Sequence, residues 1–180
     1  MLYLIKGKPN IYEIESKIMN ADAIYVGGGN TQKMIRIWKQ TGTSVILKQA
    51  YEQGRVISGL SAGANCWFRW GKSDSRKVHN ANANTIKVSG LNWIKALYCP
   101  HYNMGNDKRM ELKKMMMKTP GIALAIDNCC AIEIIDEQYR IVTSNSTAHA
   151  YKVYWRASNF CEDLINEENV LKPLKELLMK

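Results

Sequence analysis

One stretch limits the folds open to this chain: Arg55-Val56-Ile57-Ser58-Gly59-Leu60-Ser61-Ala62-Gly63-Ala64-Asn65. A short apolar run ends at Gly59, Ser61 stands between two glycines, and Ala62 to Trp67 can begin a helix. This is G-x-S-x-G in the setting that gives it meaning, a strand that turns sharply into a helix. Such a turn strains the central residue and lifts its hydroxyl clear of the sheet. Gly59 and Gly63 are needed because each must pass close to the adjoining strand and helix without a Cβ. The following helix aims its first amides at whatever Ser61 attacks, so an anion formed there is stabilised. A serine beside glycine is otherwise a common turn residue. Here the strand before it and the Ala-Gly-Ala after it favour a nucleophile.

The 180 residues are 46% hydrophobic, enough for one domain with a real core. No stretch approaches the roughly 20 apolar residues needed to cross a bilayer. Met1 to Ile5 is too short for the apolar region of a signal peptide and lacks a basic start and cleavage site. These features lead us to expect a soluble, cytoplasmic protein. Cys66, Cys99, Cys129, Cys130 and Cys161 form no C-x-x-C and no zinc-finger spacing, which points to reduced thiols. Cys129 and Cys130 read as core packing. The net charge of +9 is spread as scattered basic residues, with no long block and no interleaved aromatics. That excludes nucleic acid as the expected partner and leaves a solvated basic surface with a modest attraction for acidic peptides.

Taken in order, Met1 to Ile5 reads as a strand. Asn10 with Glu13 resembles a capping box before a helix over about 10–20 carrying Ile11, Ile14 and Ile18. Ala23 to Val26 is a short buried strand, expected to lie parallel to the first. Gly27-Gly28-Gly29-Asn30-Thr31 follows, and Asn30 or Thr31 can cap a helix bearing Met34, Ile35 and Trp38. This glycine run lacks the spacing of a nucleotide-binding loop and the Lys-Ser/Thr of a P-loop. An amide-lined wall for an oxyanion is the alternative use of the same geometry. A further helix spans about 43–53. Residues 71–84 read as a polar surface loop, with strands at 85–88 and 96–98 and a Lys- and Met-rich helix over 106–118. Its Met115-Met116-Met117 run reads as packing. Strands follow at 122–126, 131–135, 140–143 and 150–155, and Pro173 introduces a C-terminal amphipathic helix. Strand–helix alternation first and mostly strands later predict a three-layer α/β sandwich with a mostly parallel sheet and an antiparallel portion.

A serine nucleophile needs a base within reach and a third group that orients the base. Of the three histidines, His101 follows a strand through Pro100, where ligand sites of open α/β sheets gather. His79 lies in the polar loop and His149 at a strand edge. Asp74, flanked by Ser73 and Ser75, is the candidate third member, and Asp127 at the end of 122–126 is its rival.

Ile24 to Thr31, Gly59 to Ala64, Asp74-Ser75 and Pro100-His101-Tyr102 stand in the order and approximate spacing of the peptidase E (aspartyl dipeptidase) family, to which cyanophycinase is related. The chain resembles that family from near residue 1 to about 155. The resemblance implies a fold like that of class I glutamine amidotransferases, with serine in place of their cysteine. It implies a serine peptidase acting on short peptides with an N-terminal aspartate. Ser61 would be the nucleophile, His101 the general base, and Asp74 the group that orients it. The amides of Gly29 and Ala62 would form the oxyanion hole, Asn30 would shape the loop, and Arg109 would hold a substrate carboxylate. No metal or organic cofactor is called for. The competing readings are a family-shaped binding or assembly protein without strong activity, and another acyl hydrolase.

One departure accompanies the resemblance. Family members usually open with about two further strand–helix units before the segment that matches Met1. An apolar face or strand edge left uncovered by that difference predicts an oligomer, most simply a dimer.

Overall fold

The computed structural model describes every residue except 78, 79, 81, 82, 106 and 180. Asn10 opens helix α1 (Ile11–Met19) through a capping box in which its side chain and that of Glu13 each accept the other's amide at 2.9 Å. Ile14 and Ile18 are the buried residues of its inner face. Residues 1–5 do not form the expected strand. Leu4 to Lys6 turn instead, closed by the Gly7 amide on the Tyr3 carbonyl at 3.1 Å. That local bond competes with strand pairing, and the turn formers Gly7, Pro9 and Asn10 follow at once.

Strand β1 (Ala23–Val26) leads to α2 (Thr31–Gln40), α3 (Thr43–Glu52) and β2 (Val56–Gly59). The parallel partner of β1 is β2, in register from Ala23–Val56 to Val26–Gly59. Asn30 caps α2 by accepting the Lys33 amide at 2.9 Å. The helix after Ser61, α4 (Ala62–Asn65), has only four residues, shorter than the run to Trp67 suggests. Strand β3 (Phe68–Ser73) then takes in the first residues of the stretch read as loop. Gly71 lets it lie against Asn65, where a Cβ would sit 2.5 Å from the Asn65 side chain.

The remaining elements are β4 (Ile86–Ser89), β5 (Ile94–Pro100), α5 (Asp107–Met116), β6 (Ile122–Ile126), β7 (Cys130–Ile135), β8 (Gln138–Thr143), β9 (Ala150–Arg156), β10 (Asn159–Ile165), β11 (Lys172–Pro173) and α6 (Leu174–Leu178). A six-stranded sheet runs β10-β9-β6-β5-β3-β4, parallel through β3, β5 and β6 and antiparallel at both flanks. Strands β11, β8 and β7 form a smaller antiparallel sheet. The pair β1–β2 shares no ladder with the six-stranded sheet among the described residues. Strand β10 is an addition to the elements read from sequence; its register on β9 extends from Asn159–Arg156 to Ile165–Ala150.

Strand β6 shows how the layers are divided, because all five of its residues are buried. Ile122, Leu124 and Ile126 join the larger core with Tyr98, Tyr154, Trp38, Trp67 and Ile141. Ala123 and Ala125 face the other way and pack with Leu97, Cys99 and Val153 against Leu112 and Met116 of α5. Alternation along a strand buried on both faces thus places helices α1–α3 with the smaller sheet on one side and α5 on the other. Two packing expectations change. Cys129 is exposed in a left-handed turn (φ 63°), and Cys130 is half-buried. Of the methionine run, Met116 is buried and Met117 is exposed, as follows from successive positions on a helix.

Candidate active site

Ser61 leaves the end of β2 with φ 54° and ψ −111°, a conformation rarely adopted outside glycine. The two flanking glycines explain what holds it there. A Cβ on Gly63 would lie 2.1 Å from the Val26 carbonyl oxygen, and one on Gly59 would lie 2.5 Å from the Gly63 backbone. The chain therefore crosses itself at a distance no other residue permits. Because α4 is a single turn, its individual amides matter here and a summed helix dipole does not. The Gly63 amide donates to Leu60 and the Asn65 amide to Ser61, closing the turn. The amides of Ala62 and Gly29 donate no hydrogen bond among the described residues. The Ser61 hydroxyl likewise makes no hydrogen bond there.

Ser61, Ala62, Gly29, Asp74, His101 and Lys108 line one cleft, together with Thr31, Asn65, Lys72, Ser73, Ser75 and Pro100. Its volume is about 120 Å³. Gly29 takes φ 141° in its wall. Asn30 acts through its cap on α2. Thr31 and Asn65 are buried behind the elbow, where the Asn65 side-chain amide donates to Thr31 at 3.4 Å and to the Lys72 carbonyl at 3.2 Å.

His101 begins the turn after β5 with φ 113°. Its amide and that of Tyr102 both meet the Ile126 carbonyl at 3.2 Å, joining the ends of β5 and β6. The imidazole Nδ1 lies 2.8 Å from Oδ1 of Asn128. Neither aspartate takes that place. Asp74 accepts from Lys108 at 3.0 Å, so the orienting contact anticipated for it belongs to Asn128. Asp127 is buried and clamps β6 to β9, donating its amide to the His149 carbonyl at 3.0 Å and accepting the His149 amide at 2.9 Å. The His149 ring packs edge-on against Tyr151, and it is absent from the cleft lining. His79 lies outside the described residues.

The cleft is basic through residues that sequence reasoning did not single out. The Lys72 side chain is 1% exposed and pairs with Glu111 at 2.6 Å, with Lys77 on the other carboxylate oxygen at 3.4 Å. Burial pushes the Glu111 carboxyl up, but the bond to Lys72 and the charges of Lys72 and Lys77 hold it below the ordinary carboxylate range. Burial likewise raises Asp74, and the bond to Lys108 with the charges of Lys108, Lys72 and Lys77 outweighs it, so Asp74 is also lowered. Arg109 points elsewhere: it is 67% exposed, pairs with Glu162 at 2.6 Å and lines a separate groove with Trp155 and Phe160. One helical step separates it from Lys108, about 100° around α5, and only Lys108 reaches the serine cleft. Among the described residues no group of three His, Cys, Asp or Glu side chains could hold a metal ion.

A family model for peptidase family S51 matches residues 3–142. The chain belongs to peptidase family S51. Similar relatives of this S51 chain include an uncharacterized peptidase, YgaJ, of Bacillus subtilis, 35% identical over 81% of this chain and 62% of the relative. A peptidase E of a Nostoc species is 26% identical over 79% of this chain and 62% of the relative. The S51 chain thus spans about three fifths of the length of these relatives. In solved structures the fold resembles a peptidase E protein from Listeria monocytogenes (TM-score 0.60, 24% identity, 76% of this chain and 67% of that one). It also resembles a peptidase from an acI-B1 actinobacterium (TM-score 0.61, 16% identity, 91% and 64%).

Proposed function

We propose that this chain is a serine peptidase that hydrolyses short peptides, in particular those with an N-terminal aspartate. The observation that carries the proposal is the cleft shared by Ser61, held in a strained elbow, and His101, whose ring is already tethered through Nδ1. In the first step the Ser61 oxygen bonds to the scissile carbonyl carbon and its proton passes to Nε2 of His101. The amides of Gly29 and Ala62 receive the negative charge on the carbonyl oxygen. The C–N bond then breaks as His101 returns the proton to the leaving amine, giving an acyl-enzyme. Water, deprotonated by His101, releases the acid and regenerates Ser61. Lys108, able to exchange Asp74 for a substrate carboxylate, takes the role first considered for Arg109.

On this reading the fold is that of class I glutamine amidotransferases with serine in the nucleophile's place. Five free cysteines suit a reducing cytoplasm. No helix among the described residues is long and apolar enough to cross a membrane. The reading includes a homodimer, supported by Tyr25 and Val56, which stay 66% and 62% exposed on a parallel strand pair of a kind normally covered on both faces. A stable monomer in sedimentation at micromolar concentration would rule the dimer out.

Release of free aspartate from an Asp-X dipeptide, lost in Ser61→Ala, is the deciding test. A parent protein that releases nothing from a panel of such peptides would end the enzymatic reading and leave a binding role.

A further inference from the structure

The ends of β5 and β6 are joined by a reciprocal set of contacts around His101. The His101 and Tyr102 amides donate to Ile126, the Asn128 amide donates to the Asn103 side chain at 3.1 Å, and Asn128 Oδ1 lies 2.8 Å from His101 Nδ1. Asn128 is therefore fixed through its own backbone by the same turn whose imidazole it touches. The two aspartates that the sequence offers for this place are both engaged elsewhere, Asp74 on Lys108 and Asp127 on His149.

We propose that Asn128 is the positioning residue of His101, accepting the Nδ1 proton and leaving Nε2 as the nitrogen that takes the Ser61 proton. This chain then works with a Ser-His-Asn arrangement whose third member is neutral, a solution known with a cysteine nucleophile on an unrelated fold. The inference rests on the reading of Ser61 and His101 given above. Its physical content is specific. A neutral amide fixes ring orientation and tautomer as a carboxylate does. It supplies no negative charge to the imidazolium that forms in the transition state. The charged groups that line the cleft with the ring are Lys72 and Asp74 at the end of β3 and Lys108 from α5, while Asp127, next to Asn128 in sequence, is turned to the His149 amide. The lysines and Asp74 form pairs among themselves and with Glu111.

The test compares Asn128→Ala and Asn128→Asp in the full chain. Asn128→Ala should lower kcat on the order of a hundredfold with KM little changed, since a ring free to turn loses its near-attack geometry. Asn128→Asp should keep the orientation and add a charge, restoring turnover. It should also move the acidic limb of the kcat/KM profile upward by about one pH unit. Titration of the His101 ring by its C2 proton resonance gives a readout independent of activity, and its midpoint should rise in Asn128→Asp. An unchanged kcat in Asn128→Ala, or an unmoved ring titration in Asn128→Asp, would overturn the proposal. Undiminished activity in Ser61→Ala would instead defeat the serine reading, and the ring titration would still report on Asn128.

Discussion

Gly63 lies against Val26 so closely that a Cβ would stand 2.1 Å from the Val26 carbonyl oxygen, a contact real side chains do not make. The elbow and the end of β1 are thus built on one another. Gly63→Ala must displace either α4 or β1, and neither move is cheap, because Ala62, Ala64 and Asn65 are buried. The substitution should cost more than about 3 kcal/mol, beyond ordinary overpacking. Urea denaturation checks the cost, and activity should be lost with it.

Ser61 itself predicts the opposite sign. A non-glycine residue at φ 54° and ψ −111° carries roughly 1–3 kcal/mol of backbone strain. Ser61→Gly relieves it and gives back about 0.5–1 kcal/mol through the freer unfolded chain. The variant should be inactive yet more stable than its parent by about 1 kcal/mol. That corresponds to a rise of roughly 2–4 °C in Tm, measurable by calorimetry.

Lys72 and Glu111 form the most buried ion pair of the cleft wall. Glu111→Gln leaves the Lys72 charge inside without its counter-ion. Removing one partner of a buried pair costs about 3–5 kcal/mol, and because Glu111 is 24% exposed the loss should be nearer about 2–3 kcal/mol. Thermal melting should reveal a fall of roughly 4–12 °C.

Acid should weaken the fold through the same groups. Glu111 and Asp74 are both lowered in the folded state. Their contribution is complete above the unfolded carboxylate range near about pH 4 and disappears as pH drops through their depressed folded values. Urea midpoints should therefore decline below about pH 4. The decline should be shallower in Glu111→Gln, which has already lost one of the two groups. Equal slopes in parent and variant would refute the linkage.

Much of the scaffold could be read before any coordinate was known, and the reasons are local. The Asn10–Glu13 box, the Asn30 cap and the G-x-S-x-G crossing depend on contacts a few residues apart or on the size of glycine, so the sequence states them directly. The strand ends bearing Ser61 and His101 follow from apolar runs that stop at Gly59 and Pro100. What stayed hidden depends on contacts distant in sequence. Asn128 touches His101 across 27 positions, and nothing in Asp127-Asn128 says which of the two side chains faces the ring. The turn that follows β6 sets the two side chains, and strand alternation ends before it at Ile126. Lys72 was lost in a stretch read as polar loop because its burial depends on Glu111, 39 residues away. Sequence alone does not show that Arg109 faces a separate groove while its neighbour Lys108 faces the serine cleft, because helical phase separates the two. Residues 1–5 have the composition of a strand, and the turn that replaces it is closed by Gly7, just outside that apolar run.

Ser61 arrives from the two-stranded sheet and His101 from the six-stranded one, with α4 wedged between β1, β2, β3 and β5. On the proposed chemistry the reacting pair straddles a seam that no main-chain ladder bridges among the described residues. A slip of about 1 Å along it would part hydroxyl from imidazole while each sheet stayed whole. Competence in such a molecule is a matter of alignment between two sheets, and it can vanish with the backbone of each still in order.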